Sequence, residues 1–135
     1  MLLTCQREIN ELERIVDQTS QFFETEGISQ ELKFVVDLAM EELFVNMVKY
    51  NTETDKQITI ELLSLPQGIE VSLTDFDVEK FNPTTPVEVD IEAPAQARTP
   101  GGLGIFLVLK MVDSIFYEYK NRVSKITFRK YTEST

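Results

Sequence analysis

The chain has 135 residues, 42% of them apolar and 27% charged, with 13 Lys and Arg against 23 Asp and Glu, a net charge of −10. That length suits one domain, residues 1–135, around one core; that charge opposes nucleic-acid and membrane-surface binding and favours a basic protein partner. With no histidine and a single cysteine, Cys5, the chain has no Ser-His-Asp triad, histidine phosphoacceptor, histidine-ligated metal, internal disulfide or zinc cluster.

In chain order, Leu2-Leu3-Thr4-Cys5 echoes a bacterial lipoprotein cleavage site but lacks the charged and apolar regions of such a leader. Residues 6–26 place Ile9, Leu12, Ile15, Val16, Thr19, Phe22 and Phe23 at helical spacing, and Gly27 ends that helix. Ser29 is a candidate N-cap for a second helix that carries Leu32, Val35, Val36, Ala39, Leu43 and Met47 and runs to Lys49 or Tyr50. Alternation then predicts two strands, one on Ile58, Ile60 and Leu62 and the next on Ile69, Val71 and Leu73, joined by the turn Pro66-Gln67-Gly68.

Residues 76–100 are rich in proline and without periodicity, a pattern that suits a functional or mobile segment. A third helix opens at Gly101-Gly102-Leu103-Gly104 and buries Ile105, Val108, Leu109 and Val112. Strands over 115–120 and 124–131, joined at Asn121-Arg122, close the chain. The order predicts an α+β fold, a two-layer sandwich whose mostly antiparallel sheet carries its helices on one face. The most apolar stretch, Leu103 to Val112, is too short to span a bilayer and contains Lys110, so the expected location is the cytoplasm. A lone cysteine suits that reducing compartment.

Three features carry chemistry. Glu42 and Asn46 are four residues apart and share one helix face; a carboxylate there can polarise an attacking hydroxyl, and an amide oxygen is a hard ligand for Mg²⁺. The same pair also reads as two solvated positions. Gly101, Gly102 and Gly104 before a helix let backbone N–H groups approach phosphate oxygens at the positive end of the dipole, or else form a hinge. Asp75 ends a strand, where its carboxylate can accept from an exocyclic amine or start a turn.

Taken together, Glu42-Leu43-Phe44-Val45-Asn46 with Tyr50, Asp75-Phe76-Asp77, and Gly101-Gly102-Leu103-Gly104-Ile105-Phe106-Leu107-Val108 resemble the N, G1 and G2 boxes of a known family. It is the ATP-binding module of histidine kinases, DNA gyrase B and Hsp90-type chaperones. The pattern is most similar to the bacterial anti-sigma-factor serine kinases, over residues 10 to 131. The resemblance implies a Bergerat fold with ATP and Mg²⁺ between helices and sheet. It implies Glu42 as general base, Asn46 as Mg²⁺ ligand and Asp75 as adenine reader. Gly101, Gly102, Leu103 and Gly104 would hold the phosphates, residues 78–100 would form a lid, and Thr127 would support the adenine site. Arg98 is a candidate phosphate clamp or a solvated charge.

Asp77 stands where that family has glycine, next to the base, and Tyr50 where this branch has histidine. The implied function is a serine/threonine protein kinase and anti-sigma factor in transcription regulation. Its implied partners are an anti-anti-sigma protein of the STAS type and a sigma factor, with a homodimer as a further assembly, and with neither nucleic acid nor membrane. Asp77 supports a second expectation, a non-catalytic protein-interaction module with a degenerate nucleotide pocket.

Overall fold

The computed structural model describes residues 1–79 and 102–132, the side chains of residues 102–106 excepted. The elements are β1 (Leu2–Cys5), α1 (Glu11–Glu26), a 3-10 turn (Gln30–Leu32), α2 (Lys33–Tyr50), β2 (Ile58–Leu65), β3 (Gly68–Phe76), α3 (Gly102–Met111), β4 (Ser114–Lys120) and β5 (Val123–Tyr131). The expected lid lies outside the described residues from Lys80 onward.

One residue stops α1. Gly27 adopts φ 67°, and Ile28 N–H donates to the Phe23 carbonyl at 2.9 Å, a left-handed C-terminal cap that a Cβ would disfavour. Ser29 is a cap, as its sequence position suggests, but of the short 3-10 turn, where its hydroxyl accepts from Glu31 N–H at 3.3 Å. That turn runs straight into α2. Helix α1 begins at Glu11 rather than at residue 6, so Ile9 lies outside the helical stripe and is exposed.

The strands form one sheet in the order β1-β2-β3-β5-β4, and every neighbouring pair is antiparallel. β1 has no counterpart in the sequence reading. Four residues are too few for a periodic signal, and the strand exists only because Leu2–Cys5 pairs with Ile58–Glu61, far along the chain. The alternation of the paired strands is strict. Ile58, Ile60 and Leu62, then Ile69, Val71 and Leu73, then Ile126 and Phe128 are fully buried, and they join Ile15, Phe23, Val36, Leu43, Phe44 and Val108 of the helices in one core. The helices therefore lie on one face, and the intervening residues such as Glu61, Glu70 and Lys125 point to the other.

The turns follow their residues. Asn121 and Arg122 both have positive φ, 52° and 61°, the geometry that matches the twist of a two-residue hairpin between β4 and β5. Beyond β3 the chain is fastened to that hairpin: Val78 N–H donates to the Arg122 carbonyl at 3.0 Å, and Tyr119 OH donates to the Val78 carbonyl at 2.8 Å.

Gly68 meets β5 so closely that an added Cβ would lie 2.5 Å from the Lys130 carbonyl oxygen and 2.6 Å from Tyr131 Cδ1. The opposing atom is backbone and has little room to yield. Gly68→Ala is therefore expected to destabilise the fold by about 1–3 kcal/mol despite the entropy gained on losing a glycine. Urea denaturation measures it, and a variant as stable as the parent would contradict the close approach.

Candidate active site

Helix α2 presents Glu42 and Asn46 one turn apart. Asn46 is almost fully buried, at 5% exposure, whereas Glu42 is half-buried. Burial pushes the Glu42 carboxyl above its ordinary value and neighbouring Glu41 pushes it the same way, with Lys49 opposing both. A carboxyl shifted upward is a better proton acceptor than a free one, the tuning that a general base requires. Helix α3, which begins at Gly102, packs against α2, the helix that carries Glu42 and Asn46. Gly102, Leu103 and Gly104 occupy the first turn of α3; Gly101 and Arg98 lie outside the described residues.

Asp75 sits at the end of β3 on the core side, with its side chain completely buried. A carboxylate in that position requires compensation. It comes from two residues that the sequence reading did not single out. The Arg7 guanidinium forks onto Asp75, Nη1 to Oδ1 and Nη2 to Oδ2, the latter at 3.2 Å. Asn51 Nδ2 donates to Oδ2 at 2.6 Å. Arg7 Nη2 also donates to the carbonyls of Met47 at 3.0 Å and Asn51 at 2.9 Å, and Nη1 reaches the Lys56 carbonyl at 3.4 Å. One guanidinium thus joins the segment after β1 to the C-terminal end of α2 and the end of β3. Two of these carbonyls, of Met47 and Asn51, are acceptors at the C-terminal end of α2, which favour a cation. Nothing in local sequence marked Arg7, because its partners are distant in the chain.

Asp77 and Thr127 do not join this group, which corrects the placement expected of both. Asp77 has φ 57°, the left-handed backbone that explains why glycine suits this position and that Asp tolerates better than most residues. Its side chain turns outward, where Arg122 Nε donates to Oδ1 at 2.9 Å with both partners about half exposed. It lines a cavity of about 520 Å³, along with Thr4, Thr59, Phe76, Arg122 and Val123, on the side of the sheet away from Asp75.

Thr127 pairs with Ser72 across β3 and β5, their hydroxyl oxygens 3.0 Å apart, on that same outer face. Parity decides it. Ile126 and Phe128 point into the core, so Thr127 cannot. The β5 residue in register with Asp75 and on its face is Ser124, which is buried. Alternation in Ser124-Lys125-Ile126-Thr127-Phe128 carried that information, and it outranks a match by residue type.

A sequence-family model described as the histidine kinase-like ATPase domain matches residues 5–130. The chain belongs to that family. The serine-protein kinase RsbW of Listeria monocytogenes serovar 1/2a is 32% identical over 109 residues, covering 74% of this chain and 67% of that protein. RsbW of Listeria monocytogenes serotype 4a, strain HCC23, is 32% identical over 107 residues, with the same coverage of each chain. These likenesses place the chain in the anti-sigma-factor serine kinase branch of the family. The solved RsbU and RsbW domains of a Mycobacterium tuberculosis protein match with a TM-score of 0.66 at 14% identity, over 97% of this chain and 31% of that one. The chain therefore spans about a third of that longer protein, and this likeness is one of fold.

The Arg7–Asp75 pair gives a stability prediction. Arg7→Met leaves a buried carboxylate without its cation and is expected to cost about 3–5 kcal/mol, whereas Arg7→Met combined with Asp75→Leu recovers most of that loss. A double-mutant cycle by chemical denaturation measures the coupling. Additive effects of the two substitutions would show that the pair does not interact.

Proposed function

We propose that the chain is an ATP-dependent serine protein kinase of the anti-sigma type, which phosphorylates a serine of an anti-anti-sigma partner and holds a sigma factor in the alternative complex. The observation that carries this reading is that Glu42 and Asn46 lie one turn apart on α2, a helix that packs against α3 and whose terminal Asn51 bonds Asp75 at the end of β3. Family membership and the serine-protein kinase relatives support it. No helix among the described residues is long and apolar enough to cross a membrane, and Cys5 is a buried free thiol, both compatible with a cytoplasmic setting.

The donor set fits a magnesium nucleotide. Asn46 offers a neutral, buried amide oxygen, and among the described residues no group of three or more Asp, Glu or Cys gathers to enclose a metal. Asn46 would then share the ion with phosphate oxygens and water, the usual way Mg²⁺ is held. Bound Mg²⁺ supplies neutralisation of the charge that builds on the β- and γ-phosphates. Glu42 orients the serine hydroxyl and takes its proton as the oxygen closes on the γ-phosphorus and ADP departs. The backbone N–H groups at the start of α3 would hold the phosphates, where the helix dipole adds positive potential. Asp75 is the acceptor for the amine of the base in this reading, with Ser124 beside it on the same face. The non-catalytic alternative rested on Asp77, and that side chain is turned to Arg122 instead.

Glu42→Ala is expected to lower phosphoryl transfer by about 10²–10⁴-fold while ATP affinity changes by less than about twofold. Transfer of labelled phosphate to a serine-bearing partner and calorimetric titration measure the two quantities; an unchanged transfer rate would contradict the assignment. The Glu42 carboxyl is held above its ordinary 4.5, so the rate should fall with acid through a midpoint above that value. The stability linkage has the opposite sign. Protonated Glu42 suits its half-buried site, so its contribution is full at low pH and is lost as pH rises through the raised value. Glu42→Gln should therefore gain on the parent in thermal stability near neutral pH and lose that advantage in acid.

A further inference from the structure

Asp75 has four lone-pair positions for hydrogen bonds, and three are taken, two by Arg7 and one by Asn51. Its side chain is completely buried. The fourth position, on Oδ1, is closed off by that burial, so a purine amine reaches this carboxylate only once a neighbouring donor moves aside. Asn51 is the C-cap of α2, with its backbone N–H donating to the Met47 carbonyl at 3.2 Å, and its side chain gives Asp75 a single bond, at Oδ2. Arg7 belongs to the short irregular link between β1 and α1, and its own side chain makes the bonds that hold it at the site. Of the two, Arg7 engages both carboxylate oxygens and lies outside the helices and strands, so its departure is the one that opens Asp75.

We propose that Arg7 is an internal occupant of the purine-reading position: its guanidinium donates to Asp75 in place of an exocyclic amine, and base binding proceeds by exchanging one donor for the other. This rests on the proposed nucleotide site and adds its regulation. The exchange trades two charge-assisted bonds at the carboxylate for a neutral donor, and Arg7 gives up its contacts to Met47, Asn51 and Lys56 as well, so nucleotide affinity is lowered by the docked arginine. Anything that lifts the segment between β1 and α1 raises affinity. The effect is specific to bases that bring a donor, because a base presenting a carbonyl gains nothing from a freed carboxylate.

The test compares ATP with inosine triphosphate, which carries a carbonyl where adenine has its amine, each with Mg²⁺, on the parent chain and on Arg7→Met. The expected result is a Kd for ATP at least tenfold lower in Arg7→Met, with the Kd for inosine triphosphate changed by less than threefold. Equal ATP affinity in both chains would overturn the inference and leave the kinase reading standing. An equal gain for both nucleotides would overturn it as well, since Arg7 would then obstruct without competing for Asp75. Binding by neither chain would remove the nucleotide reading and the inference together. Should Arg7→Met not fold, nitrogen-edited NMR of the parent decides. Protection of the Arg7 guanidinium protons from exchange is expected to fall as ATP saturates, and protection retained in the ATP complex would overturn the proposal.

Discussion

A carboxylate with no exposure at the end of a central strand constrains much of what surrounds it. Asp75 would be untenable in the core without cationic and amide donors, and the fold brings them from two directions. Arg7 is delivered by β1, whose pairing with β2 fixes the segment that follows. Asn51 is delivered by the end of α2. Because Arg7 also caps helix-end carbonyls of α2, one side chain registers the edge of the sheet, the helix that carries Glu42 and Asn46, and the strand that carries Asp75. The geometry of the site is thus tied to the N-terminal strand.

The sequence made most of the architecture legible because its periods are clean. Helical stripes in α1 and α2, alternation in β2, β3 and β5, and the Pro66-Gln67-Gly68 and Asn121-Arg122 turns all have local physical causes, and the structure carries them. What local pattern could not supply was long-range pairing. β1 is too short to announce itself, and Arg7 looks like any surface arginine until β1 places it beside Asp75. Asn51 is one polar residue among several after a helix, and only the tertiary fold gives it a buried acceptor.

Two other positions depend on backbone geometry. By type and place in the last strand Thr127 suits the adenine site, whereas the alternation of buried Ile126 and Phe128 assigns it to the opposite face and Ser124 to that of Asp75. Asp77 was weighed as an obstruction beside a base, but its backbone is left-handed and directs the carboxylate toward Arg122 at the hairpin. In both cases backbone geometry, not side-chain chemistry, decides which residues meet. The common face of Glu42 and Asn46 is legible for the same reason: a spacing of four on a helix fixes it, whatever the rest of the fold does.

The central claim is that α2, the end of β3 and the start of α3 form one magnesium-nucleotide site. Amide chemical-shift mapping during titration with ATP and Mg²⁺ tests it most directly, because it reports both saturation and location. The account predicts saturable, magnesium-dependent shifts on Glu42 to Asn51, on Asp75 and Ser124, and on Arg7. Shifts confined to the outer face around Thr59, Phe76 and Arg122, or none at millimolar ATP, would contradict it.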